Sequence, residues 1–133
     1  MGDAMTKPKV RTIFDLSSLN YEDKHIRAHR AMVHQTDELQ ISVYLLEPGG
    51  RVPSHRHSAS WDIAFAVEGE IEARIFEGDV VRTVRWTPQT LNLVPPGIVH
   101  ELVNPSASEP AKFLLIQSPA HNFDFVKSAP AGQ

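Results

Sequence analysis

Ten prolines and seven glycines punctuate this 133-residue chain and leave little room for helix. Proline removes a backbone donor and glycine weakens a regular element from within, so a chain broken this often folds as short pieces joined by turns. Most of the pieces are rich in Val, Ile, Leu, Phe and Thr, side chains that suit a pleated surface. Together these features predict an all-β sandwich or barrel. Strands are expected near residues 10 to 14, 28 to 34, 39 to 47, 51 to 57, 61 to 67, 70 to 76, 80 to 86, 91 to 94, 99 to 104 and 112 to 118. The stretches "QTDE" at 35 to 38 and "EGD" at 77 to 79 read as hairpin turns. Only residues 18 to 28 offer a cap followed by helix formers, as a short helix or an irregular arm.

The length suits one domain covering residues 1 to 133, with a core of about 28 to 118 and arm-like ends. Hydrophobic residues make up 41% and charged residues 22%, an ordinary composition for a folded chain. The net charge of -3 gives no electrostatic footprint for nucleic acid or anionic lipid. The one basic cluster, Lys24 to Arg30, is mixed with Glu22 and Asp23 and reads as solvated surface. No apolar run approaches the roughly 20 residues that span a bilayer, and the start lacks the apolar core of a secretion signal. A cytoplasmic location is expected, with no membrane and no nucleic-acid partner. The opening "MGDAMT" formally matches an acylation pattern, but one so short that it arises by chance.

The chain has no cysteine, which removes disulfides, thiolate metal sites and a cysteine nucleophile at once. Any metal must be held by imidazole and carboxylate. In "SHRHSASWD", residues 54 to 62, His55 and His57 lie two apart, so on a strand both point the same way with Cα atoms roughly 6.6 Å apart. Arg56 points away between them. Asp62 shares a face with Ala64 and Ala66, whose small side chains would leave room beside it for a substrate. In "PPGIVHELVN", residues 95 to 104, the rigid Pro95-Pro96-Gly97 turn delivers His100 at the start of a strand. Three imidazoles and one carboxylate suit Fe(II), Mn(II), Ni(II), Co(II) or Zn(II).

These two stretches resemble the two motifs of the cupin superfamily. The first family motif runs glycine, five residues, H-x-H, three or four residues, glutamate, six residues, glycine. Gly49, His55, His57, Asp62 and Gly69 fall on its positions, with aspartate in place of glutamate. The second runs glycine, five residues, P-x-G, two residues, H, three residues, N. Pro95, Gly97, His100 and Asn104 match it, while Gln89 stands where the leading glycine would be. The resemblance covers roughly residues 39 to 118. It implies a double-stranded β-helix, or jelly-roll barrel, a single divalent metal held by His55, His57, Asp62 and His100, and a homodimer.

Four protein ligands leave two adjacent positions of an octahedron for water, dioxygen or a substrate, whereas a structural ion is more often closed off. With iron favoured, the expected function is a small-molecule metalloenzyme of the Fe(II) dioxygenase type. The same ligands suit a metal-dependent isomerase or lyase on a small carbonyl or sugar substrate, or a non-catalytic ligand-binding cupin. Trp61 and Phe65 alternate with Asp62 and should pack outward, and Phe113, Leu115, Phe123 and Phe125 read as core or interface. His25, His29, His34 and His121 read as surface histidines. Arg51, Arg74 and Arg85 are candidate anion anchors, and the family resemblance suggests Tyr44 and Gln117 as pocket-lining residues.

Overall fold

The computed structural model describes residues 14–120 and the backbone of 124–125. No helix occurs among the described residues, and nine strands form one antiparallel sheet that curls into a nearly closed barrel. They are β1 (Glu22–Gln35), β2 (Gln40–Arg56), β3 (Trp61–Glu68), β4 (Ile71–Glu77), β5 (Val80–Trp86), β6 (Asn92–Val94), β7 (Val99–Val103), β8 (Ala111–Ser118) and β9 (Asp124–Phe125). The hydrogen-bonded order is β5-β4-β7-β2-β8-β3-β6, with β1 and β9 each paired to β2. The all-β expectation holds, and β3 to β8 keep their expected boundaries to within about a residue. Residues 10 to 13 of the first expected strand, together with His121, Phe123 and the side chain of Phe125, lie outside the described residues.

Two expectations are corrected. The helical option at 18 to 28 is replaced by a turn in which Asp15 accepts hydrogen bonds from Ser17, followed directly by β1. Pairing along the edge of β2 overrides the weak local preference for helix. The strands expected at 39 to 47 and 51 to 57 are one continuous 17-residue strand, β2, bent at its middle. Its first half pairs with β1 and β8 and its second with β7 and β9, so one strand serves both walls of the barrel.

The bend has an identifiable cause. Gly49 sits at φ +74, and a Cβ on Gly50 would lie 2.3 Å from the Arg27 carbonyl oxygen, so only glycine lets β1 pass this close. Opposite it, β1 bulges and Arg27 adopts φ 53, a conformation uncommon for a side-chain-bearing residue. Arg27 is held there by donating to the Pro48 carbonyl at 3.1 Å and pairing with Glu47 at 3.5 Å.

Inward positions alternate as the strand period demands. Tyr44, Leu46, Phe113 and Leu115 from one wall meet Val52, Ile71, Ala73, Trp86 and Leu102 from the other. Tyr44 stacks on Phe113 at 5.0 Å between ring centres, and Trp86 meets Phe113 edge-on at 5.6 Å. Each such aromatic pair adds about 0.5–1.5 kcal/mol beyond the area it buries. This packed base leaves the polar end of the barrel to the histidines.

Candidate metal centre

Three strands deliver the group expected from sequence. His55 lies in the second half of β2, directly across from His100 at the start of β7, and Asp62 lies at the start of β3, across from Gln117 on β8 and Val94 on β6. His57 follows the end of β2, and its carbonyl accepts the N–H of Gly97 at 2.9 Å. That bond needs Gly97 at φ +85, and it ties the Pro-Pro-Gly turn of one motif to the H-x-H of the other. Farther along, Gly49 N–H donates to Asn104 O and Asn104 N–H to Gly50 O, so both motifs are clamped at each end. Gln89 sits in the exposed Thr87–Thr90 turn, away from the site.

All four side chains are buried, and one potential ligand atom from each falls within 4.8 Å of the others. Donors about 2.1 Å from a common ion lie roughly 3 Å apart when adjacent and about 4.2 Å when opposite. A small inward movement therefore brings the set onto one ion. Asp62 Oδ2 is 3.3 Å from His57 Nε2 and 3.2 Å from His100 Nε2, so the aspartate reaches the group although it is one methylene shorter than glutamate.

Second partners fix which nitrogen faces the centre. His55 Nδ1 lies 2.7 Å from the Pro53 carbonyl and His100 Nδ1 lies 2.9 Å from the Ile98 carbonyl; a carbonyl can only accept, so both rings carry N–H on Nδ1. His100 Nε2 then holds a lone pair, makes no hydrogen bond, and still faces a carboxylate oxygen at 3.2 Å. Two buried acceptors at that distance require a cation between them, either a further proton or a metal ion. Gln117 Nε2 donates to Asp62 Oδ1 at 3.1 Å, and its own carbonyl accepts from Gln40 at 3.0 Å. Asp62 thus keeps one oxygen for the centre.

Electrostatics point the same way. Burial pushes the His55 imidazolium well below the ordinary histidine range, reinforced by His100, so His55 stays neutral. Burial alone would raise the Asp62 carboxyl. The electrostatic pull of His100 and His57, whose Nε2 atoms lie 3.2 and 3.3 Å from its carboxylate, outweighs it and holds Asp62 well below the usual carboxylate range.

The other residues singled out in the sequence have simpler fates. Arg51 and Arg74 share Glu101, and Arg85 pairs with Glu70 and Glu72; each of these pairs includes a partly exposed arginine. Arg56 is exposed, as its alternation implied. Trp61 faces outward, Phe65 is half-buried, and Phe113 and Leu115 are core. Gln117 does line the site, whereas Tyr44 is packed in the core. His34 is exposed and His25 stacks near Tyr44 at 6.3 Å. His29 is not a bland surface residue: its two nitrogens meet Asp23 at 2.5 Å and Glu47 at 2.6 Å.

Ala64 and Ala66 share the inward face with Asp62 as expected, but both are buried, Ala64 within the core cluster. A cavity of about 410 Å³ opens beside the site on another side. Its walls include Ile75, Val84, Trp86, Val94 and Ile98, and Ile75 and Val94 are the direct cross-strand partners of His100 and Asp62. Asn92 and the paired Glu77 and Arg82 contribute its polar lining.

Known structures share this architecture. The chain is similar to an oxalate oxidase at a TM-score of 0.77 and 15% identity, over 95% of this chain and 68% of that one. It is similar to a conserved protein with a double-stranded β-helix domain from Klebsiella pneumoniae at 0.73 and 22%, over 90% and 100%. It is also similar to the polyketide cyclase RemF from Streptomyces resistomycificus at 0.73 and 16%, over 90% and 88%. At these identities the likeness establishes a fold. No curated protein sequence matches the chain. The cupin domain family matches residues 42–117, which include both motifs and all four converging side chains, and the chain belongs to that family.

Proposed function

We propose that this cupin is a metal-dependent enzyme acting on a small molecule, most concretely a dioxygenase of the Fe(II) type. The observation that carries the reading is the convergence of four buried donors on one point, with His100 Nε2 and Asp62 Oδ2 facing each other as acceptors. His55, His57, His100 and Asp62 would hold the ion, a donor set of imidazole and carboxylate that suits iron, manganese, cobalt, nickel or zinc. When bound, such an ion supplies Lewis acidity and, if it is iron, a redox centre for dioxygen.

The chain's own residues define the rest. Gln117 and the Pro53 and Ile98 carbonyls orient the ligands, and outer partners of this kind typically matter 10–100-fold for metal affinity. The apolar walls of the neighbouring cavity would hold the body of a small organic substrate and exclude water from the reacting end. An isomerase, lyase or cyclase uses the same site without dioxygen, and the fold shared with a polyketide cyclase supports keeping that second reading. Assembly as a homodimer is part of the proposal, because Trp61 and Leu93 stand exposed on the outer face.

Oxygen uptake by Fe(II)-loaded protein across a panel of diketones, catechols and thiols separates the readings. Consumption with at least one substrate, abolished in His100→Ala, is expected. Full metal loading with no uptake across the panel would move the assignment to isomerase, lyase or binding module.

A further inference from the structure

The cavity beside the metal group lies between β5 and β6, the two ends of the hydrogen-bonded order. Both strands give it inward positions. Val94 lies across from Asp62, and Asn92, one inward step along β6, lies across from Ala64 on the same face. The Asn92 row is therefore roughly 7 Å of strand from the Asp62 row. On the other wall Ile75 lies across from both His100 and Arg82, so one row runs from the metal group to the cavity rim.

Three polar side chains interrupt the apolar walls of this cavity. Two of them cancel: Glu77 and Arg82 pair at 3.0 Å and leave the lining without net charge. The third, Asn92, has its amide orientation fixed by its partners. Its Nδ2 lies 3.2 Å from the Ala64 carbonyl, and a carbonyl can only accept. Nδ2 also lies 3.1 Å from Thr90 Oγ1, whose own proton goes to the Thr87 carbonyl. The amide nitrogen is thus turned to its own strand and the next, and among the described residues nothing donates to Oδ1. Asn92 brings one unused acceptor to an otherwise apolar and uncharged enclosure. Such an acceptor favours a hydroxyl that donates to it. It disfavours a carboxylate, which can only accept and carries a charge with no partner there.

We propose that Asn92 is a specificity-determining residue and that the substrate is an uncharged small molecule with a hydroxyl group: its apolar body fills the cavity between β5 and β6, the hydroxyl donates to Asn92 Oδ1, and oxygen donors at its other end reach the metal group. The proposal rests on the metal-dependent reading above and names the substrate class of that same site. The roughly 7 Å between the Asn92 and Asp62 rows suits a molecule about one substituted ring long. Anions are selected against because Arg82 is already committed to Glu77.

The test uses full-length protein loaded with Co(II), whose visible bands report contact with the metal, and calorimetry for affinity. The probes are hydroxypyranone chelators that differ only at a ring carbon remote from the chelating oxygens, where they carry a methyl, a hydroxymethyl or a carboxylate group. The methyl and hydroxymethyl probes should both perturb the cobalt bands, and the hydroxymethyl probe should bind about fivefold or more tighter, the worth of one hydrogen bond. The carboxylate probe should bind more weakly than the hydroxymethyl one. Asn92→Leu should erase the hydroxymethyl preference while the methyl probe still perturbs the bands. Glu77→Gln, a change at an exposed residue, frees Arg82; it should raise the affinity of the carboxylate probe severalfold and leave the hydroxymethyl preference in place, which keeps the charge balance testable where Asn92→Leu does not fold. Equal affinities of the methyl and hydroxymethyl probes on the wild-type protein, a preference that survives Asn92→Leu, a carboxylate probe that binds as tightly as the hydroxymethyl one, or binding that leaves the cobalt bands unmoved would overturn the assignment. Failure of the metal reading looks different: no cobalt uptake, with an Asn92-dependent preference still present in the metal-free protein. Absence of both cobalt uptake and preference overturns the two together.

Discussion

Asp62 lies 3.3 Å and 3.2 Å from two histidine nitrogens because β3 starts close enough to β7 to make up for the missing methylene. Its second oxygen is taken by Gln117, which also meets Gln40 and lies 3.3 Å from the His57 ring. Gln117→Leu keeps the volume but removes that donor, so divalent metal affinity should fall about 10–100-fold with the fold intact. A competition titration measures it, and unchanged affinity would show that Gln117 merely fills space. His29 makes a separate pH-dependent contribution. Its hydrogen bond to Glu47, with help from Asp23, raises its pKa above the ordinary value. The contribution is therefore complete below about pH 6.5 and disappears as pH rises through the higher folded-state value. Since Asp23 is highly exposed, the effect should be roughly 0.5–1 kcal/mol. Urea unfolding should show a gap between wild type and His29→Gln at pH 5.5 that closes by pH 9; an equal gap at both would contradict the bracket. The four converging residues were legible in the sequence because their types and spacing coincide on inward strand positions. Gln117 left a fainter trace, as the polar member of the inward series Phe113, Leu115, Gln117. His29 left none, because it meets Glu47 through the pairing of β1 with β2 and not through neighbours in sequence.

At the level of elements, the decisive piece is the bent strand β2, whose two halves each hold a different wall. Reading Gly49 and Gly50 as a break between two strands was reasonable from composition. Glycine here permits a close crossing under Arg27, and the ladder continues through it. Asn104 secures the same corner. Its side-chain amide donates to the carbonyls of Leu46, Glu47 and Glu109, and its oxygen accepts from the Ser106 N–H. Asn104→Ala would strand several buried carbonyls at once, so a loss of about 3 kcal/mol is expected. It should appear as a lower urea midpoint with an unchanged slope; a loss below about 1 kcal/mol would mean that other groups carry the corner. The helical option at 18 to 28 failed for a related reason, since the segment finds a strand edge that outweighs its own preference.

The molecule as a whole brings residues 55, 57, 62 and 100 together only because the barrel curls β3 and β7 onto facing walls. Sequence patterning displayed the strands and the motifs, and the pairing that closes the barrel had to come from the fold. Closure leaves an outer face where Trp61 is 44% and Leu93 57% exposed, on neighbouring strands. If two copies meet there, Trp61→Glu with Leu93→Glu should convert a dimer to a monomer in analytical ultracentrifugation, and an unchanged mass would place any interface elsewhere. Whether the barrel carries a metal is read from elemental analysis of protein purified without chelators. Close to one divalent transition metal per chain is expected in the wild type, and under about a tenth of that in a folded His100→Ala variant. Wild-type protein that stays far below one equivalent after anaerobic incubation with Fe(II), Mn(II), Co(II), Ni(II) and Zn(II) in turn, or a His100→Ala variant that keeps its full complement, would contradict it.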